Sequence, residues 1–389
     1  MDIYEESLKL HGEWGGKLDT VSKTRVDSRD MLALAYTPGV AEPCRAIAAD
    51  PDAVYKYTIK RDTVAVVTDG SAVLGLGNIG AAAAAPVMEG KCVLFKEFGD
   101  VNAFPICLDT QDTDEIVETV VRIAPIFGGI NLEDIAAPRC FEIEERLNDA
   151  LDIPVFHDDQ HGTAIVVLSG LINSLRITGK KKEECRAVVN GAGSAGIAIA
   201  KLMLSYGFKH ITMCDSRGIV SSKSERLNDA KREMLKVTNL DDMSGTLADA
   251  MVGTDIFIGV SGPGCVTADM VRSMNDDAIV LAMANPVPEI MPDEALAAGA
   301  RIVGTGRSDF PNQVNNVIAF PGIFRGALEA RAERITNDMK LAAAIALAEL
   351  VDDDKLCEEF IMPEPFDPRV KVAVAKAVRD CWEASQAAK

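Results

Sequence analysis

Between residues 185 and 215 the chain leaves few backbones open. Cys185-Arg186-Ala187-Val188-Val189-Asn190 reads as a short buried strand, and Gly191-Ala192-Gly193-Ser194-Ala195-Gly196 follows it at once. Residues 197–206 then read as an apolar helix, and His210-Ile211-Thr212-Met213-Cys214 as a second strand ending in Asp215. These parts in this order make the dinucleotide fingerprint of a parallel α/β sheet. The glycines permit the tight turn, the approach of a pyrophosphate and the packing of helix on strand. The helix N-terminus faces the phosphates, and the acid takes the ribose hydroxyls. Gly191, Gly193, Ser194, Ala195, Gly196 and Asp215 are therefore candidate cofactor-binding residues. Asp215 favours NAD, because a carboxylate repels a 2′-phosphate. Ser216-Arg217 and Lys223 follow closely and leave NADP open.

Further strands are predicted at 255–260, 278–283 and 301–304, separated by short helical segments. That pattern extends a parallel sheet with right-handed crossovers. Asn285-Pro286-Val287-Pro288 lies just after a strand, at the end of the sheet where a nicotinamide or substrate would sit. The Asn285 amide either serves a ligand or caps a turn. The expected fold class is α/β: an N-terminal α/β catalytic domain over 1–160, a Rossmann-like doubly wound domain over 161–330 and a C-terminal helical appendage over 331–389. A length of 389 residues suits more than one domain.

The first half carries its own signals. Thr63-Val64-Ala65-Val66-Val67-Thr68 is a buried strand, and Gly75-Leu76-Gly77-Asn78-Ile79-Gly80 leads into an alanine helix. The glycine spacing imitates the dinucleotide motif. Six residues separate the strand from the first glycine, so close packing of small residues is the better account. The alanine helix is expected to end at Met88-Glu89-Gly90, with Lys91-Cys92-Val93-Leu94-Phe95-Lys96 as a strand. An apolar setting lowers a lysine pKa, which makes Lys91 a candidate base; alternatively it reaches solvent from the strand end.

Two acidic pairs stand out. Asp158-Asp159 sits between a short apolar strand, Ile153-Pro154-Val155-Phe156, and a helix expected over 163–177; Glu133-Asp134 lies upstream. If the two corners converge, three carboxylates could hold one hard divalent cation, Mg²⁺ or Mn²⁺. The bland reading is solvated surface, common in a chain of formal net charge −19. His157 and His161 imitate zinc spacing, but they flank a corner and lack a third N or S neighbour.

That charge repels phosphate backbones, which excludes a nucleic-acid role. Nine cysteines without C-x-x-C spacing read as reduced, buried thiols of a cytoplasmic protein. The acidic N-terminus does not read as a signal peptide, and no apolar stretch reaches the roughly 18 residues of a membrane span.

Taken together, the motifs resemble the malic enzyme family in its shorter bacterial and archaeal form. The resemblance covers nearly the whole chain. It rests on Tyr36-Thr37-Pro38-Gly39-Val40, Thr68-Asp69-Gly70 with Gly75-Leu76-Gly77, Glu89-Gly90-Lys91, Asn131-Leu132-Glu133-Asp134, Asp158-Asp159-Gln160-His161-Gly162-Thr163, the glycine turn, Ala284-Asn285-Pro286 and Asn315-Asn316 before Phe320-Pro321-Gly322. The resemblance implies oxidation of (S)-malate with NAD or NADP, a divalent cation, and release of pyruvate and CO₂. It implies Glu133, Asp134 and Asp159 as metal ligands, Lys91 as general base assisted by Asp158, and Tyr36 as general acid. Asn285 and Asn316 would hold the substrate. A homodimer or dimer of dimers is implied, with the N-terminal segment at the interface. One departure is visible. Larger members carry a substrate-gripping arginine in the glycine-rich segment, where this chain has Ser71-Ala72-Val73. Two alternatives remain: another two-domain dehydrogenase, such as one acting on amino acids, or a nucleotide sensor without catalysis.

Overall fold

The chain is described by a computed structural model covering residues 2–388 apart from 74 and 226. Four helices open it: α1 (Ile3–Trp14), α2 (Arg29–Ala35), α3 (Ala41–Ala49) and α4 (Val54–Tyr57). None of the four contributes a buried side chain among the described residues. Instead Ile3, Leu8, Trp14, Leu32, Leu34 and Tyr36 are all more than half exposed.

The first sheet follows. Its elements are β1 (Thr63–Thr68), α5 (Ala81–Gly99), β2 (Asn102–Cys107), α6 (Thr113–Ile123), β3 (Gly129–Leu132), α7 (Arg139–Ala150), β4 (Val155–His157) and α8 (Asp158–Thr178). The strands are parallel in the order β2-β1-β3-β4. β1 is buried at every position, as its unbroken apolar sequence requires of a central strand.

The second sheet comprises β5 (Arg186–Asn190), α9 (Ser194–Tyr206), β6 (His210–Asp215), β7 (Gly218–Ile219), α10 (Asp229–Leu235), α11 (Leu247–Met251), β8 (Ile256–Gly259), α12 (Ala268–Arg272), β9 (Ala278–Ala282), α13 (Pro292–Ala297) and β10 (Ala300–Thr305). Its order is β10-β9-β8-β5-β6-β7, with only β7 antiparallel. The winding reverses between β5 and β8, the switch point where doubly wound sheets bind ligands. Three helices close the chain: α14 (Phe320–Glu329), α15 (Asn337–Glu349) and α16 (Arg369–Ala387). They are packed into the main core. Phe324, Leu347, Val374 and Val378 join Phe95 and Phe156 of the first half and Ile199 of the second in one apolar cluster. Among the described residues no helix is long and apolar enough to cross a membrane.

Two local expectations are corrected. Residues 91–96 are not a strand; they continue α5, which does not stop at Gly90. Buried positions 81, 84, 88, 91, 92, 95 and 99 recur every three or four residues, a helical stripe. An internal glycine costs roughly 1 kcal/mol against alanine. Burying Met88 and Phe95 contributes roughly 1.5–3 kcal/mol each and wins. The long helix α8 also starts at Asp158, five residues before the expected 163. Two acids in its first turn complement the helix dipole. Gly179, in the left-handed region at φ 68°, ends it.

Candidate active site

Between the two sheets lies a cleft of about 990 Å³. Lys91 of α5, Glu133 and Asp134 after β3, and Asp159 of α8 face it on one side. Ser194 and Ala195 of the glycine turn, Ser261 after β8, Ala284 and Asn285 after β9, and Asn316 face it on the other. The two acidic corners meet because β3 and β4 are parallel neighbours, with Leu132 beside His157, so both strands end at one level.

Lys91 is the hinge of the polar network. Its Nζ lies 2.6 Å from Asp158 Oδ2 and 2.8 Å from Glu133 Oε1, and 4.2 Å from the centre of the Phe320 ring. Asn316 Nδ2 donates to the same Asp158 oxygen at 2.6 Å, and Asn131 Nδ2 to Glu133 at 2.9 Å. The expected fall in the Lys91 pKa is not found. Burial lowers it, but Asp158, Glu133 and Asp159 together outweigh burial and raise it. The carboxyls move the same way. Burial, then Asp159 and Glu133, push Asp134 up to about 8. Burial pushes Asp158 up to about 7 against the pull of Lys91.

Glycine is required beside this network. A Cβ on Gly162 would lie 1.9 Å from Asp158 Oδ1, so only a bare backbone lets the carboxylate fold along its helix. On the nucleotide side, a Cβ on Gly196 would lie 1.8 Å from Gly191 O, which is the close helix-to-turn contact the fingerprint needs.

The residues present fit a cation. Glu133, Asp134 and Asp159 each offer an oxygen within 4.8 Å of the others, a span one ion with ligands at about 2.4 Å can bridge. Asp134 Oδ2 is buried without a partner, and Asp159 Oδ2 accepts from Asp134 N at 2.9 Å. No histidine belongs to this group among the described residues. The glycine turn fits a dinucleotide: nothing lies within 4 Å of where a Gly193 Cβ would stand.

Other expected residues are placed differently. Asp215 closes β6, but its carboxylate is engaged: Oδ1 accepts from Arg217 N at 2.9 Å and Oδ2 from Lys231 Nζ at 2.6 Å. The charge expected to repel a 2′-phosphate is thus balanced by a lysine sixteen positions on, which sequence reasoning overlooked. Tyr36, at the C-terminal end of α2, is 68% exposed and is not among the described residues lining the cleft. Glu289 was also missed. Fully buried, it accepts from Ser261 N at 2.8 Å and Ala284 N at 3.0 Å, tying together the loops after β8 and β9. Nothing in its sequence setting distinguishes it from a surface acid.

Comparison with known proteins decides the family. Residues 15–148 match the family model described as malic enzyme, N-terminal domain, and residues 160–381 that of the malic enzyme NAD binding domain. The chain belongs to the malic enzyme family. It is 59% identical over 379 residues to the bifunctional malic/malolactic enzyme of Bacillus subtilis, covering 97% of this chain and 92% of that one. It is 56% identical to the NAD-dependent malic enzyme of Geobacillus stearothermophilus, covering 97% and 78%. Relatives at 47–50% identity are NADP-dependent malic enzymes. The malic enzyme structure from Pyrococcus horikoshii superposes with a TM-score of 0.95 at 48% identity, covering 99% and 91%. Membership of the malic enzyme family carries NAD- or NADP-dependent oxidative decarboxylation of malate.

Proposed function

We propose that this chain oxidises (S)-malate to pyruvate and CO₂ with Mg²⁺ or Mn²⁺ held by Glu133, Asp134 and Asp159, and that it takes NAD in preference to NADP. The observation that carries this reading is Lys91 Nζ set 2.6 Å from Asp158 and 2.8 Å from Glu133, beside three converging carboxylates in the cleft that the glycine turn also lines. When bound, the cation would supply Lewis acidity at the substrate oxygens, and the dinucleotide would accept the hydride from C2. Lys91 takes the proton of the 2-hydroxyl. Asp158, Glu133 and Asp159 hold it as an ammonium against burial; a divalent cation on Glu133 and Asp159 would weaken two of these three supports and ease loss of the proton, with Asp158 left to receive it. Asp158 and Asn316 fix the direction of that amine. The amides of Asn285 and Asn316 hold substrate carboxylate, and the turn at 191–196 seats the dinucleotide. Lys231 sits where it could turn from Asp215 to a 2′-phosphate, so NADP remains a slower cofactor.

The test is nicotinamide reduction by (S)-malate and Mn²⁺, with NAD and NADP in parallel, before and after chelation. Pyruvate as the metal-dependent product supports the reading. Lactate without net reduction would point to the malolactic chemistry named for the Bacillus relative. Reduction that survives chelation would sink it.

Tyr36 is assigned as the acid that protonates C3 of enolpyruvate. Its 68% exposure, together with the uncovered apolar residues of α1 and α2, supports a homodimer in which Tyr36 serves the partner's cleft. Mixed Lys91→Met and Tyr36→Phe chains should then recover up to about a quarter of wild-type activity, since half the sites in a mixed dimer are intact. No recovery after subunit exchange would place both groups in one chain. Cytoplasmic residence is part of the proposal and fits nine free cysteines, which are not all buried as expected, since Cys44, Cys265 and Cys357 are exposed; cell fractionation checks it.

A further inference from the structure

A second group of largely enclosed polar side chains, of which Lys340 is buried and Glu144 and His161 are partly buried, lies behind the carboxylates and has no part in the chemistry above. Glu144 projects from α7 onto the β4–α8 corner. Its Oε1 accepts from His157 N at 3.0 Å, the residue just before Asp158. His161 Nε2, one helical turn past Asp158, lies 3.0 Å from both Glu144 oxygens, and Gln160 Nε2 lies 3.5 Å from Oε2. On the far side of the ring, Lys340 of α15 places Nζ 3.1 Å from His161 Nδ1. An ammonium can only donate, so Nδ1 accepts and the Nε2 proton goes to Glu144. Lys340 is only 9% exposed. Burial opposes the charge on Glu144, yet His161 and Lys340 hold its carboxyl down to about 2.

We propose that Glu144, His161 and Lys340 are positioning residues, a clamp from α7 and α15 that sets the first turn of α8 and with it the directions of Asp158 and Asp159. The inference rests on the reading of the carboxylate cluster as a cation site. Without Lys340 the imidazole loses the contact that fixes its proton arrangement. Glu144 keeps its bonds to His157 N and to Nε2, but the far side of the ring is no longer held. The C-terminal helix α15, which never reaches the cleft, thereby governs the geometry of the carboxylates within it.

The experiment compares wild type with Lys340→Met, Lys340→Arg and His161→Gln as full chains. Three readouts are taken: Mn²⁺ affinity from the paramagnetic resonance of free ion, hydrogen exchange across residues 157–161 without metal, and Tm. Lys340→Met should weaken Mn²⁺ binding about tenfold and speed exchange at the corner about tenfold. Lys340→Arg keeps a donor and should recover part of both. A lower Tm with unchanged affinity and unchanged exchange would overturn the clamp, leaving Lys340 a packing group. Should Lys340→Met not fold, His161→Gln is read by the same two criteria. If wild type itself holds no Mn²⁺, the cation reading fails separately, and exchange at the corner alone decides the clamp.

Discussion

Lys91→Met should lower kcat by about 10²–10⁴, the usual span for losing a positioned acid–base group. Methionine keeps most of the apolar body of the side chain, so the packed face of α5 survives, while the ammonium over the Phe320 ring is lost. What disappears is the proton acceptor 2.6 Å from Asp158. Dinucleotide binding, followed by the fluorescence of the reduced cofactor, should be unchanged, because the turn at 191–196 lies on the other wall of the cleft. The variant also leaves Asp158 and Glu133 buried without their shared cation. Breaking a buried pair costs about 3–5 kcal/mol, so the metal-free variant should melt lower and regain stability with Mn²⁺. A kcat within tenfold of wild type would remove Lys91 from proton transfer.

Asp159→Asn should act with opposite signs on function and on stability. Three carboxylates within 4.8 Å repel one another without an ion, and the rise of Asp134 to about 8 records that repulsion together with burial. Neutralising Asp159 relieves it, so Tm of the metal-free chain should rise by about 1–3 °C. The same change removes a ligand, and Mn²⁺ affinity should fall by at least about 100-fold, more than a supporting partner is worth. Turnover at saturating malate should fall with it and recover only partly at high Mn²⁺. Calorimetric titration with Mn²⁺, beside melting curves with and without metal, reads both signs. A lower Tm in the metal-free variant, or unchanged affinity, would mean that Asp159 is a structural acid.

Some of this was legible in the sequence alone. The second sheet was readable because its signals are local: a strand of unbroken apolar residues, three glycines at fixed offsets and an acid at the next strand end all lie within thirty residues of one another. The acidic pairs could be singled out for the same reason, each framed by its own apolar flanks. The malic enzyme resemblance was likewise carried by short motifs in one order.

Tertiary structure decided the rest, and the reason is that charge and burial are set by neighbours distant in the chain. Gly90 reads as a helix end, yet the stripe from Ala84 to Phe95 finds a core to pack on, and α5 runs through it. Lys91 reads as an amine of lowered pKa, but Asp158, sixty-seven positions away, reverses the direction. Asp215 reads as a bar to NADP until Lys231 folds onto it. Lys340 carries no signal at all, because its meaning depends on an imidazole 179 residues earlier. Residue order alone sets which chemical groups the chain carries and the local turns that hold them. Only the fold decided which charges face one another, because a side chain's protonation and reach follow from the groups packed around it.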